Sequence, residues 1–535
     1  MQSLGPDRAV WERSRVPASF RGMLIFEWVV GVLLGAVMLA ALARRVGAPY
    51  PAFLALGGCI LAFVPGVPNL ALDPELALAL FLAPVLLDAG YDISLRDLRA
   101  DWRSVGGLAL GAVAATTAAV ALVAHLVVPD MPLAACVVLG AVVAPPDAVA
   151  ALSVLRHVAL PHRVAVILRG ESLLNDAGSL LIYRLAVAAA ATGGFHLSEV
   201  APTFLVGILG SLVAGPCLAR AYLPVAHRFP DAPSTIVLQF VAAFGIWLMA
   251  ERLGLSGVLT VVTFAITVAR YSPGLTAPRT RILSYAVWDT AVFVLNVLAF
   301  VLIGIQIGPI LDRLTGSDRA DALILAAAVF AAVVLVRIGW VLAANGLRGL
   351  GRKLRRGAQP SLAPALAISW AGMRGIVTIA AALALPTEGF PKRDLIVFAA
   401  FCTVIGTLVV QGLTLAPLLR LLRLEDDDPV GRETGRARAE AYAAALESLR
   451  SAGEEPSVAA LRAEFEAALE EAERHDEGRA PETLPSDAAR RQAIAAARDT
   501  VLRLRREGRI GDDAYYLLEE EFDWAELNVT PRAEA

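Results

Sequence analysis

Apolar residues in this chain are gathered into long runs, separated by short stretches rich in arginine, proline and glycine. A helix crossing the hydrocarbon of a bilayer needs roughly 20 such residues. That rule predicts thirteen spans, at 24–43, 50–66, 75–94, 104–128, 132–155, 164–191, 201–225, 234–252, 255–271, 283–308, 321–347, 364–387 and 394–423. Two of them are interrupted. The fifth reads GAVVAPPDAV at 140–149, where Pro145 and Pro146 have no backbone N–H, so the carbonyls of Ala141 and Val142 lose their helical partners. The twelfth reads WAGMRGI at 370–376, with Arg374 between Gly372 and Gly375. In lipid, freed carbonyls are tolerated only where they line a cavity or lie within protein. If spans 1–6 and 8–13 form two inverted halves, the breaks hold matching positions, the arrangement that marks a midplane site in transporters. The predicted fold is an all-α polytopic membrane protein of two inverted repeats with broken helices.

Composition sharpens this picture. A chain of 535 residues that is 57% hydrophobic and 18% charged is too apolar for a soluble protein. The charge is also unevenly placed. From Leu424 onward there are 28 acidic and 15 basic residues, against 22 acidic and 32 basic before it. This divides the chain into an N-terminal segment (1–23), a transmembrane domain (24–423) and a helical tail (424–535). The run at 24–43 lacks a small-residue cleavage site and reads as a first span, not a signal peptide. Cys59, Cys136, Cys217 and Cys402 sit in apolar runs without CxxC spacing and read as packing residues.

Loop charges orient the spans. With a cytoplasmic tail, the inner loops hold Arg44, Arg45, Arg96, Arg99, Arg103, Arg156, Arg163, Arg220, Arg228 and the basic cluster at 348–356, whereas the outer loops hold few basic residues. Arg8, Arg13, Arg15 and Arg21 go against this bias if the number of spans is odd. The expected location is a multi-pass protein of the inner (plasma) membrane with its C-terminal tail in the cytoplasm.

Ionisable groups inside a membrane cost about 2.5–3.5 kcal/mol each on insertion scales, so the deep ones point to function. They are Asp88, Asp147, Glu171, Asp176 and Arg374; Glu27, His125 and Asp289 lie nearer span ends or alone and read as snorkelling or locally bonded groups. In the sixth span, RGESLLNDAGSLLIYR places Glu171 four residues before Asn175 and Ser172 four before Asp176, a polar stripe along one helix. Asp147 follows the double proline, where a half-helix should begin and its N-terminal dipole would favour a carboxylate. Arg374 cannot give up its proton and needs an anionic partner; Glu171 is assigned to it as a structural ion pair. Asp176 is then the carboxylate without a fixed counter-charge.

A mechanism follows from that residue. Taking a carboxylate out of water favours its neutral form. A proton and Na⁺ compete for one anionic site, and only the neutralised forms cross a low-dielectric barrier. One such site exchanges one Na⁺ for one H⁺, an electroneutral cycle. The Asp176 carboxylate, the Ser172 hydroxyl and carbonyls near 141–146 are the hard oxygen ligands proposed for Na⁺.

These residues resemble the monovalent cation:proton antiporters, in particular the electroneutral branch of NhaP and the animal sodium–proton exchangers, over 24–423. GESLLND at 170–176 is similar to the sixth-helix signature, AGMRG at 371–375 to the arginine motif of the twelfth, and APPDAVAA at 144–151 to the break of the fifth. LLDAG at 86–90 resembles the third-helix segment whose carboxylate, here Asp88, faces the ion path, and WDTAVFVLNVLAFVLIG at 288–304 resembles the tenth helix. The resemblance implies crossed broken helices and a homodimer. A core of spans 4–6 and 11–13 would move as an elevator against the remaining spans, with Asp176 as the ion and proton carboxylate. Asn175 supports electroneutrality, and a Glu171–Arg374 pair agrees with the family pattern. Three positions depart from it: Pro146 stands where relatives have threonine, Ala148 where they have proline, and Arg169 where they often carry a neutral or acidic residue.

The expected activity is pH homeostasis by cation:proton antiport, with no enzymatic role, no cofactor and no nucleic-acid partner; the cargo is Na⁺ (or Li⁺) and H⁺. A K⁺/H⁺ antiporter on the same fold is the alternative. An intramembrane aspartyl protease would use Asp88, Asp92, Asp147 or Asp176 in pairs, but the glycine-flanked second aspartate motif it needs is absent. There is no P-loop to couple ATP. The tail shows helical patches at 434–452, 456–473, 486–506 and 511–521, suited to regulation, to dimer contact or to no transport role.

Overall fold

A computed structural model describes residues 18–65, 74–155, 161–192, 197–229, 231–272, 276–314, 318–356, 362–386, 389–424, 429–450, 455–474 and 487–527. Arg8, Arg13, Arg15 and Arg156, part of the orientation argument, lie outside these residues. The protein is all-helical, and its chain forms two compact units, Met1–Glu425 and Asp426–Ala535.

In the first unit the helices are α1 (Ala18–Val46), α2 (Tyr50–Leu61), α3 (Pro74–Tyr91), α4 (Leu95–Ala100), α5 (Trp102–Val127), α6 (Leu133–Val143), α7 (Ala148–Leu155), α8 (His162–Thr192), α9 (Leu197–Ala226), α10 (Ala232–Arg252), α11 (Gly257–Tyr271), α12 (Pro278–Ile305), α13 (Ile307–Arg313), α14 (Asp318–Arg356), α15 (Leu362–Trp370), α16 (Ile376–Leu383) and α17 (Arg393–Leu422). Helix occupies all thirteen predicted stretches, and eight described helices are long and apolar enough to cross a membrane. Boundaries follow local chemistry. Asp231 and Ser256 cap α10 and α11 by accepting from the Ser234 and Leu259 amides, and proline opens α10 and α12, where its missing N–H is not needed. Glu27, His125 and Asp289 are exposed on the outside of the bundle, and the four cysteines are free thiols.

Packing relies on small residues, which let apolar helices approach closely. A methyl group on Gly58 would overlap the Val301 carbonyl, and one on Gly304 would overlap that of Ala55, so α2 and α12 touch backbone to backbone. In α5, residues Gly107–Ala112 are wound as π-helix, and the Gly107 carbonyl accepts from Trp340 Nε1 of α14 at 3.1 Å. Apolar side chains form two buried clusters. The larger draws on α1, α2, α5–α8 and α12–α17; the smaller on α3, α9–α12 and one residue of α8, Leu173.

The short helix α4 is fastened to the start of α8. His162 Nε2 lies 3.2 Å from Asp97 Oδ2, Arg163 Nη2 donates to Asp101 Oδ1 at 2.6 Å, and Leu98 rests on Gly170. Burial on its own would raise the Asp97 carboxyl, but hydrogen bonds from His162 and Ser94 and the Arg96 charge outweigh it and hold the group below its ordinary 3.8. A carboxyl lowered on folding stabilises above its unfolded value, and this contribution disappears as pH falls through the folded one. Asp97→Asn is therefore expected to lose less melting temperature than wild type between about pH 5 and pH 3. Equal losses in the two proteins would show that the contact carries no stability.

The second unit holds α18 (Pro429–Arg450), α19 (Pro456–Arg474), α20 (Asp487–Arg506) and α21 (Asp512–Leu527). Tyr442 meets Phe465 edge-on between α18 and α19, Arg490 reaches Glu464 at 2.9 Å, and Arg498 binds Asp523 and Glu526 at 2.5 and 2.7 Å.

Candidate functional site

The two breaks predicted from sequence meet. Between α6 and α7 the chain runs unwound through Ala144–Asp147, and between α15 and α16 through Ala371–Gly375. The Asp147 amide donates to the Met373 carbonyl at 2.6 Å. Arg374 donates from Nε to the Val143 carbonyl at 3.0 Å, from Nη2 to that of Ala144 at 3.2 Å, and from Nη1 to that of Gly372. Its own amide donates to Thr407 Oγ1 of α17 at 3.0 Å. Pro145, Pro146, Gly372 and Gly375 all lie in or beside this crossing.

Electrostatics account for the choice of residues. A half-helix ending inside the bundle leaves carbonyls with partial negative charge, and one starting there leaves amides with partial positive charge. Arg374 sits on the carbonyl ends of α6 and α15. Asp147 sits on the amide ends of α7 and α16, where the Val149 N–H donates to Oδ1 at 2.8 Å and the Ile376 N–H also faces the carboxylate. A methyl group on Gly375 would coincide with Asp147 Oδ2, so this position admits only glycine while Asp147 stays in place.

Glu171 does not pair with Arg374, contrary to the expectation from sequence. Its partner is Arg337 of α14, which donates Nη1 to Oε1 at 2.6 Å and Nη2 to Oε2 at 2.9 Å, with both side chains 2% exposed. Arg337 Nη2 also donates to the Ile368 carbonyl at 3.1 Å, and its stem lies against Gly372. The assignment failed because Arg374 has no need of a carboxylate: three helix-end carbonyls already satisfy it. The missed residue had a signal. Arg337 is an arginine in the middle of the apolar 321–347 run, and the insertion cost that singled out Arg374 applies to it equally.

On α8 the Asn175 Nδ2 donates to the Pro146 carbonyl at 2.9 Å, holding the first break to this helix, while its Oδ1 is buried with no partner. Asp176 is 5% exposed, no cation pairs with it among the described residues, and the charged group acting on it is the Asp147 carboxylate. It lies on the face of α8 between Leu173 and Leu180, which pack into the smaller apolar cluster, so the carboxylate sits where the two clusters adjoin. Ser172 is half-buried one turn before Asp176. The structure thus gathers Asp147, Asn175, Gly375 and Arg374 around the crossing, with Asp176 beside them. Asp88 is not gathered there. It lines a separate cavity between α3 and α9–α12, to which no described residue of α8 or of either break contributes. Thr378 of α16, unremarked in the sequence, has a buried hydroxyl with no partner. No cluster of three or more His, Cys, Asp or Glu suited to a metal occurs among the described residues. What this arrangement offers is one unpaired carboxylate and neutral oxygen donors, the chemistry of a proton or a hard monovalent cation.

Comparison with known proteins agrees with that chemistry. The family model for the transmembrane sodium/hydrogen exchanger matches residues 31–421. An uncharacterised Na⁺/H⁺ exchanger of Mycobacterium tuberculosis is 32% identical, over 96% of this chain and 98% of its own. The sodium, potassium, lithium and rubidium/H⁺ antiporter of Bacillus subtilis is 32% identical over 69% of this chain and 58% of its own, and the Na⁺/H⁺ antiporter ApNhaP of Aphanothece halophytica is 30% identical over 81% of each. In fold, the chain is similar to the sodium proton antiporter MjNhaP1 of Methanocaldococcus jannaschii, with a TM-score of 0.58 at 19% identity over 73% of this chain and 99% of the other. Crossed broken helices, a buried unpaired aspartate and a family match over most of the membrane unit converge: the chain belongs to the sodium/hydrogen exchanger family and is a monovalent cation:proton antiporter of NhaP type.

Proposed function

We propose that this antiporter exchanges Na⁺, or Li⁺, for H⁺ one for one and electroneutrally across the inner (plasma) membrane. It spans the membrane thirteen times, with its tail in the cytoplasm, and works as a homodimer. The observation that carries the reading is the state of Asp176. Glu171, Arg337, Arg374 and Arg393 are all buried, and each is answered by an ion pair or by carbonyls; Asp176 alone among these is buried without a cation. An unpaired carboxylate crosses a low-dielectric barrier only when a proton or a metal ion neutralises it. Asp147, the Asn175 Oδ1 and the Ser172 hydroxyl complete the oxygen set. Because Asn175 is neutral, a single carboxylate titrates per cycle on this helix, and no net charge moves. The test is proton flux in proteoliposomes with Na⁺, Li⁺ and K⁺ supplied separately and the membrane potential clamped. Na⁺ and Li⁺ should drive flux at a rate independent of potential; a rate that follows the potential would rule out one-for-one exchange.

K⁺ as main cargo is a second reading. Pro146 removes the threonine hydroxyl that relatives place before the aspartate, and the Bacillus subtilis relative is named for potassium as well as sodium. Flux driven by K⁺ alone would favour it.

In the elevator reading, α5–α8 and α14–α17 move against α1–α3 and α9–α12. An ion pair joins the two groups directly: Arg184 Nη2 of α8 to Glu251 Oε2 of α10, at 2.9 Å. Both side chains are partly exposed, so the pair is worth about 0.2–1 kcal/mol. Arg184→Gln is therefore expected to shift the balance between inward and outward states by up to about fivefold, read as opposite changes in apparent KM for Na⁺ at the two membrane faces. Unchanged KM at both faces would mean that the pair does not report on the transport states.

A further inference from the structure

The cavity that holds Asp88 has a volume of about 280 Å³ and is walled by α3, α9, α10, α11 and α12 together with a few residues just beyond their ends, such as Asp92, Phe229 and Thr276. It shares no residue with the crossing, and its lining is of a different kind. Four ring-bearing residues, Tyr91, Tyr222, Tyr285 and Trp288, surround it, and Phe229 and Phe264 add two more rings. The rings are held in place by their neighbours. Trp288 donates Nε1 to Gln239 Oε1 at 2.6 Å and stacks on Phe240 with centroids 4.3 Å apart; Tyr91 meets Tyr285 edge-on at 6.4 Å, and Tyr222 meets Phe264 at 5.4 Å. Among the described residues that line it are two carboxylates, Asp88 and Asp92, with one arginine, Arg281, and His227. Ser284, also in the lining, is 8% exposed and its hydroxyl has no partner.

Each feature selects against a different occupant. Two carboxylates beside one arginine among the described lining residues disfavour an anion. The wall is mostly apolar and carries several aromatic rings, a surface that attracts a weakly hydrated organic cation through the ring quadrupoles. The volume holds a few heavy atoms around a central nitrogen and not a lipid tail or a drug-sized molecule. We propose that this cavity is a second cation site, separate from the exchange site, that binds a small organic ammonium ion of the size of tetramethylammonium or choline, with Asp88 and Asp92 supplying the counter-charge.

The site is tested by equilibrium dialysis of the full-length protein in detergent with radiolabelled choline, alongside 3,3-dimethylbutanol, the neutral analogue in which carbon replaces the quaternary nitrogen. Wild type should bind choline saturably, one per chain, and should not bind the neutral analogue. Trp288→Leu and Asp92→Asn should each weaken binding about tenfold or more. Asp176→Asn should bind as wild type does, which separates failure of this proposal from failure of the exchange mechanism. Because Trp288→Leu risks misfolding, each variant is first shown to elute as a single species with a melting temperature near that of wild type, and Trp288→Phe, which keeps a π-face, should retain most of the binding. No saturable binding in wild type, equal binding of the neutral analogue, or loss of binding in Asp176→Asn would each overturn the proposal.

Discussion

Proteoliposomes carrying Asp176→Asn are expected to take up ²²Na⁺ under an imposed pH gradient no faster than vesicles without protein. Asparagine fills the same space but cannot bind and release a proton, and it offers a cation a dipole in place of a charge. Because Asp176 makes no ion pair among the described residues, its loss leaves no partner stranded, and the variant should fold and purify as wild type does. Both halves of this outcome matter. A variant that folds and still exchanges would remove Asp176 from the centre of the cycle, whereas a variant that fails to fold would show that the carboxylate holds the structure together. Asp147→Asn is the natural companion. Its carboxylate is engaged by amide groups at two half-helix starts, so the same substitution there weakens structure as well as transport.

Removing one member of the Glu171–Arg337 pair is expected to give the largest loss of stability, about 3–5 kcal/mol for Glu171→Gln or Arg337→Met, seen as a fall in melting temperature and in the yield of monodisperse protein. The reason is the charge left behind. Both side chains are 2% exposed, and after either substitution the surviving one has no other charged partner at hydrogen-bond distance among the described residues. Removing both together, Glu171→Leu with Arg337→Met, takes away the desolvation cost of both charges and should recover most of the loss. Arg374→Met serves as the control. If Glu171→Gln and Arg374→Met proved non-additive while Glu171→Gln and Arg337→Met added, the pairing would be with Arg374 after all.

Much of this was legible along the chain. The apolar runs identify helices by length and composition alone, since each of these helices satisfies its own backbone hydrogen bonds over nearly its whole length. The double proline at 145–146 and the glycines flanking Arg374 mark two unwound segments because the missing N–H and the missing side chains act on their immediate neighbours. The stripe on α8 needs only helical periodicity. Arg337 was legible too, by the cost of an arginine in an apolar run, and escaped notice because no motif surrounds it.

Other features depend on which helices lie side by side, and no local rule reports that. Glu171 and Arg337 are 166 positions apart, and their pairing requires α8 and α14 to meet at one depth. From sequence, Arg374 looked like a cation in search of an anion; only the crossing shows that the carbonyl ends of α6 and α15 meet that demand with partial charges, which belong to the backbone and leave no trace in residue type. Asp88 reads in sequence as one more intramembrane carboxylate, yet the fold separates it from the crossing and gives it aromatic neighbours from three other helices. Chain chemistry by itself determined the class of molecule, the two breaks and the acidic helix between them, because each arises from atoms close together in sequence. The partner of each buried charge was decided by tertiary packing, because electrostatic energy in a low-dielectric interior depends on distances between residues far apart along the chain.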